Sequence, residues 1–141
     1  MKTTLRCSVA IWLLLCLSAS LSFAQITVYR GLDAKGNGKA ETAPSQFRID
    51  DSAHFPGELE LSTFVLEHIT AKPCQLGFVI RDEGTIDNMP GYTAAPSPPP
   101  AGHWSILLPA GKTKEQAKQD FSNYARSAAG QLQLAPGACR Q

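Results

Sequence analysis

Hydrophobic and polar residues alternate along several short segments of the chain, and alternation with a period of two is typical of strands with one buried face. The segments are ITVYRG from Ile26, QFRID from Gln46, ELELSTFVLEHI from Glu58, CQLGFVIRD from Cys74 and HWSILLP from His103. We predict a strand in each. The short Thr-Ala-Lys-Pro connection predicts that the third and fourth segments form a hairpin.

A helical period replaces the alternation after Lys112. Thr113 and Gln116 have the spacing of a capping box, in which each side chain bonds the other residue's backbone N–H. Apolar residues then recur at helical spacing, at Ala117, Phe121, Tyr124 and Ala128. Gly130 is a typical C-terminal stop. We therefore predict one helix between Thr113 and Gly130, with Phe121 and Tyr124 packed against the sheet.

These elements predict an α+β fold. The expected architecture is an antiparallel sheet of about five to six strands with one C-terminal helix packed on a face. A β-sandwich carrying one helix is the alternative.

The first 24 residues have the three-part pattern of a secretory signal peptide. Lys2 and Arg6 form a basic start, an apolar stretch follows from Val9 to Leu17, and Ser22 to Ala24 form a small-x-small cleavage site. The apolar stretch is too short to span a bilayer. We predict a signal peptide at residues 1–24 and a single domain at residues 25–141, located in the periplasm or secreted, with no transmembrane segment.

Cysteine placement agrees with export. Cys7 and Cys16 lie in the predicted signal peptide, so only Cys74 and Cys139 remain after cleavage. Two thiols in an oxidising compartment most simply pair. We predict a Cys74–Cys139 disulfide.

The charge is nearly balanced but unevenly distributed. Without Lys2 and Arg6, 11 of the 13 basic residues remain against 12 acidic residues. Acidic residues concentrate between Glu41 and Asp87, and no basic block stands alone, so we do not expect a nucleic-acid partner. An acidic segment suits a basic partner, and Glu58 and Glu60 are its candidate contact residues.

The segment from Asn88 to His103 is a proline-rich loop with no charged side chain, and it holds five of the ten prolines. Its composition predicts a stiff polyproline II arm, which loses little conformational entropy on binding. We expect Tyr92 and His103 to be exposed and Trp104 to lie in the core. The predicted contact residues in the arm are Met89, Tyr92, Pro96, Pro98, Pro99, Pro100 and His103.

Known catalytic and metal-binding patterns are missing from the sequence. The segment from Asp33 to Gly38 begins like a calcium loop, but Lys35 and Pro44 occupy positions that require oxygen ligands. The histidines lack zinc-protease spacing, and no Gly-x-Ser-x-Gly occurs. We predict no metal, no cofactor and no catalytic residue, and we identify no family from the motifs.

These observations favour a non-catalytic periplasmic or secreted recognition protein, of the inhibitor or immunity type, that binds a partner protein such as an envelope enzyme or a toxin. Three alternatives remain open. They are a small ligand- or glycan-binding module that uses Tyr92 and Trp104 as stacking surfaces, a subunit of an envelope assembly, and a small hydrolase with a spatially assembled site.

Overall fold

The structure is a computed structural model, and it describes residues 25–65, 72–134 and Cys139 of the 141 residues. These residues contain six strands and two α-helices. The strands are β1 Ile26–Leu32, β2 Asp50–Asp51, β3 Leu59–Phe64, β4 Cys74–Ile80, β5 Thr93–Pro96 and β6 His103–Leu107, and the helices are α1 Lys114–Arg126 and α2 Ala128–Leu132. The predicted signal peptide at residues 1–24 lies outside the described residues.

All strand pairings are antiparallel, and the sheet order is β4-β1-β3-β6-β5, with β2 beside β3. One open sheet carries α1 on a face, so the predicted α+β class is confirmed and the β-sandwich alternative is not. No helix among the described residues has the length and apolar character that a membrane crossing requires.

The predicted hairpin of β3 and β4 is wrong, because β1 lies between them. Val28 pairs with Phe78 of β4 on one side, and Tyr29 pairs with Phe64 of β3 on the other. An alternating pattern locates a strand but does not identify the strands beside it. Each edge of β1 carries backbone groups that can pair with another strand, and β3 and β4 occupy the two edges. Of the QFRID segment only Asp50 lies in a strand, as the first residue of β2, although Phe47 and Ile49 are buried before it.

Helix α1 begins as predicted and ends earlier. The Thr113 hydroxyl accepts from the Gln116 N–H at 3.2 Å, and the Gln116 side chain accepts from the Thr113 N–H at 2.9 Å. Ser127 has an extended backbone that ends α1 and caps the short helix α2. Gly130 therefore lies inside α2 and is not a stop. A Cβ at Gly130 would overlap the Tyr124 carbonyl oxygen, so close packing requires this glycine.

Aromatic rings join α1 to the sheet, as predicted for Phe121 and Tyr124. The Phe121 ring centroid lies 5.8 Å from those of Phe47 and Phe78 and 5.1 Å from that of Tyr92. Phe121 is fully buried, and burying a phenylalanine side chain contributes about 1.5–3 kcal/mol. The Tyr124 hydroxyl donates to the Gly77 carbonyl at 3.0 Å, and burial, with a smaller effect of Asp87, raises the pKa of Tyr124 to about 12.

The predicted disulfide joins Cys74, which is fully buried in β4, to Cys139, with 5.1 Å between their Cα atoms. The chain before Cys139 also bonds the outer edge of β4, where the Gly77 N–H donates to the Gln133 carbonyl at 2.9 Å. The disulfide therefore tethers the chain end beside an edge strand.

Replacing Cys139 by alanine should lower the free energy of unfolding by about 2–5 kcal/mol, because the cross-link restricts the unfolded chain. Urea unfolding of the oxidised protein, the reduced protein and Cys139→Ala measures this. The reduced protein and the variant should agree. Equal stability of Cys139→Ala and the oxidised protein would contradict the prediction.

Candidate functional site

The segment from Asn88 to His103 is a β-hairpin and not a polyproline II arm, because residues 93–96 form β5 along β6. Ala94 pairs with Ile106, and Pro96 pairs with Trp104. The Ser97 N–H donates to the His103 carbonyl at 3.0 Å, and the His103 N–H donates to the Pro100 carbonyl at 3.1 Å. The chain reverses between these bonds, and we call residues 97–102 the proline turn. Proline is tolerated at Pro96 because β5 is an edge strand.

The residues predicted to contact a partner divide into an exposed and a buried group. Pro96, Pro98, Pro99, Pro100 and Glu58 are exposed, whereas Met89, Tyr92, His103 and Glu60 are only 4%, 3%, 6% and 5% exposed. The expected exposure of Tyr92 and His103 is therefore wrong. Trp104, which we expected in the core, is half-buried and packs against the outside of the hydrophobic core.

The prediction that Glu60 contacts a partner is not supported, because its side chain is buried. The alternation rightly separates Glu60 from Leu61, but the turn between β2 and β3 covers the Glu60 side of the sheet. Glu60 Oε2 accepts from the hydroxyls of Ser52 and Ser105, each at 2.5 Å, and Ser62 lies 3.4 Å from Oε1. These serines replace the water that an exposed carboxyl group would bind.

A chain of hydrogen bonds continues from Glu60 to His103. Ser105 Oγ lies 2.8 Å from Ser97 Oγ, which lies 2.8 Å from His103 Nδ1. Nδ1 also lies 2.9 Å from the Ser97 carbonyl oxygen, and because a carbonyl only accepts, we assign the proton to Nδ1. The Ser105 hydroxyl has one proton, and we assign it to the hydrogen bond that Ser105 donates to Glu60. The Ser97 hydroxyl therefore donates to Ser105.

This chain, which we call the Glu60–His103 network, ties the proline turn to the sheet. Its four side chains are 0–6% exposed. The His103 ring packs against Phe64 and His54, with centroid separations of 5.0 Å and 5.8 Å. A buried network whose side chains bond one another stabilises the structure, so we interpret it as structural.

The buried residues Met89 and Tyr92 line a cavity of about 640 Å³ at the other end of the hairpin. Residues 88–92 form one wall, and α1 and the start of α2 form the other; we call it the hairpin–helix pocket. Lys112, Asp120, Asn123, Ser127 and Ala128 are among its other lining residues. Its volume falls within the range of small-molecule sites, about 300–1,000 Å³.

An ion pair and a tyrosine form the polar centre of this pocket. The Tyr92 hydroxyl donates to Asp120 Oδ2 at 2.8 Å, and the Lys112 ammonium pairs with the same oxygen. The ammonium also lies 5.6 Å from the Tyr92 ring centroid, within the range of a cation–π contact. The pocket therefore presents one positive and one negative group that already neutralise each other.

The pKa shifts of these groups follow from their contacts. Burial and the bond to Asp120 raise the pKa of Tyr92, which keeps its hydroxyl proton. Burial alone would raise the pKa of Asp120, but the hydrogen bonds from Lys112 and Tyr92 outweigh it and leave that pKa below its ordinary value. At neutral pH Asp120 is ionised.

Sequence reasoning found one wall of the pocket and missed the other. Met89 and Tyr92 stood out as large apolar residues in a proline-rich segment. Lys112 and Asp120 lie eight residues apart across the start of α1, and no motif links them. Asn123 is a polar residue on an exposed helix surface, where such residues are ordinary.

Neither a search for metal-binding side chains nor comparison with known proteins assigns a function to a residue of this chain. Within residues 25–65 and 72–134 and at Cys139, no group of three or more histidine, cysteine or acidic side chains is placed to hold a metal ion. Asp33, at the start of the calcium-like segment, pairs with Lys72. Comparison with protein-family models, curated proteins and solved structures found no match.

Ser105→Ala should lower the free energy of unfolding by about 1–3 kcal/mol, because it leaves Glu60 and Ser97 short of a buried partner. Urea unfolding of the variant measures this, with Ser45→Ala as the control. Ser45 is exposed, and its replacement should change stability by less than about 0.5 kcal/mol. Equal effects of the two substitutions would contradict the importance of the network.

Asp120→Asn should weaken stability at pH 7 and flatten its loss in acid. A depressed carboxyl pKa stabilises the fold above the ordinary aspartate value of about 3.9, and that stability is lost as pH falls through the folded-state pKa. The expected loss at pH 7 is about 0.5–1.5 kcal/mol, the typical net contribution of a hydrogen bond. Thermal unfolding from pH 7 to pH 2 measures it. Asp82→Asn, at an exposed carboxylate, is the control, and identical acid profiles for both variants would refute the prediction.

Proposed function

We propose that this chain is a non-catalytic recognition protein that binds a partner protein at the hairpin–helix pocket. The observation that carries the proposal is the pocket itself, in which an ion pair, two asparagine side chains and apolar side chains converge on one concavity. Concave sites with a few convergent polar groups are the usual locations of binding.

The pocket walls are held in place before any partner arrives. The Tyr92 ring packs on Phe121 while its hydroxyl bonds Asp120. The Met89 N–H donates to the Ile86 carbonyl, and the Tyr92 N–H donates to the Met89 carbonyl, each at 3.2 Å. A site already ordered in the free protein loses less conformational entropy on binding.

An exposed leucine lies one helical turn after a residue of the pocket wall. Leu132 is 77% exposed and lies four residues after Ala128, on the same side of α2. A large exposed apolar side chain one helical turn from a pocket-lining residue favours contact with a protein surface over a purely polar ligand.

An inhibitor or immunity-type role needs only occlusion of the partner's site, with no chemistry from this chain. The predicted signal peptide favours a partner in the periplasm or outside the cell, such as an envelope enzyme or a toxin.

A small-ligand module, including a glycan-binding one, is the second candidate, because the pocket volume suits a small molecule. The contacts of Tyr92 and Trp104 do not support their use as stacking surfaces for a glycan. Tyr92 is 3% exposed and packs on Phe121, whereas Trp104 pairs with Pro96 farther along the hairpin.

Ala128→Trp tests the proposal, because Ala128 is an exposed residue of the pocket wall and a large side chain there fills the cavity. The variant should keep its melting temperature and capture at least tenfold less partner from envelope extract, a loss of about 1.4 kcal/mol. Capture is measured by affinity pull-down with mass identification of the bound protein.

Ala101→Trp is the matched control, since Ala101 is an exposed alanine in the proline turn. Its capture should equal that of the unchanged protein. If Ala101→Trp abolishes capture while Ala128→Trp leaves it intact, the contact surface is the proline turn and the proposed site is wrong. Saturable binding of a soluble sugar, blocked by Ala128→Trp, would favour the small-ligand module.

A further inference from the structure

A second cavity of about 280 Å³ borders the hairpin–helix pocket, and Lys112 lines both. Its walls are residues 57–59, before and at the start of β3, and residues 108–111, after β6. The Leu108 N–H donates to the Leu59 carbonyl at 3.1 Å, which holds the two walls together. We call this cavity the Glu58 pocket. Because Lys112 lines both cavities, we treat the two together as one depression with Lys112 between them.

The charges along this depression do not balance. The Lys112 ammonium is occupied by Asp120. Glu58 is exposed and has no ion-pair partner within the described part of the chain. Two carboxylates and one ammonium leave a net charge of −1, with the uncompensated charge at the Glu58 end. A ligand that fills the depression is therefore complementary in charge if it places a positive group beside Glu58.

The opposite end of the depression is apolar. Ala128 and Ala129 line it, and Leu132, the last residue of α2, is 77% exposed. Met89 and Pro90 lie on the facing wall. A ligand is thus matched by an apolar group at this end.

We propose that the two pockets together hold one extended polypeptide segment of the partner, with a basic side chain against Glu58 and an apolar side chain against Leu132. This inference rests on the proposed function and names the partner chemistry of the same site. Asn88 and Asn123 also line the hairpin–helix pocket. The Asn123 amide oxygen accepts from Gln119 and Arg126, so Asn123 offers a peptide its amide N–H donors, whereas the Asn88 amide carries both a donor and an acceptor.

Synthetic peptides test the inference without a known partner. The probes are acetylated Gly/Ser octapeptides that carry one arginine and one leucine in either order and at several separations. Matched peptides carry glutamate in place of arginine. Titration into ¹⁵N-labelled protein should shift the amide signals of Gly57 and Glu58 together with those of Ala128 to Leu132. The arginine peptide should bind at least fivefold more tightly than its glutamate match.

Glu58→Lys should weaken binding of the arginine peptide at least fivefold and abolish the preference for arginine over glutamate. Glu83→Lys makes the same charge change at an exposed residue in the turn after β4, and it should leave both affinities unchanged. Equal effects of the two variants would show that only net charge matters and would overturn the inference.

The remaining outcomes separate this inference from the proposed function. Shifts confined to the hairpin–helix pocket, with no dependence on Glu58, refute the extended segment and leave the pocket as the contact site. Absence of shifts with every peptide also refutes the extended segment. Failure of the proposed function is seen elsewhere, as partner capture that is unaffected by Ala128→Trp.

Discussion

The packing of Phe121 against Phe47, Phe78 and Tyr92 is the interaction on which the other parts of the structure depend. The three partners come from the segment before β2, from β4 and from the start of the hairpin, so one buried ring joins regions far apart in the chain. Because Asp120 precedes Phe121 on α1, the same packing brings its carboxylate to the Tyr92 hydroxyl. The hydrophobic core thus positions the polar centre of the pocket.

The two ends of the β5–β6 hairpin have different physical character. The proline turn has exposed prolines, and its Ser97 belongs to the buried Glu60–His103 network. At the other end Met89 and Tyr92 form the wall of a concavity that contains an ion pair. The side chains of the network bond one another, whereas the concave end places an ion pair and polar side chains along a cavity. This contrast is why we place recognition at the pocket.

Glu60 shows what an alternating pattern of polar and apolar residues can predict and what it cannot. The alternation of Leu59 and Leu61 with Glu58 and Glu60 correctly separates two sides of β3. It does not state whether a side is covered, and the turn that carries Ser52 covers Glu60. Glu58, two residues earlier, remains exposed and lines the second cavity. Two glutamates with the same local sequence pattern therefore have different roles.

The sequence by itself determined the strands β1, β3, β4 and β6, the start of α1 at its Thr113 cap, the α+β class and the pairing of Cys74 with Cys139. Each depends on local periodicity, on a capping motif a few residues long, or on the small number of cysteines outside the predicted signal peptide. Only the tertiary structure decided that β1 separates β3 from β4, that Glu60 and His103 are buried, and that Lys112 and Asp120 meet Tyr92. These outcomes depend on which distant segments cover and pair with one another, and a period of two or of 3.6 residues carries no information about that choice.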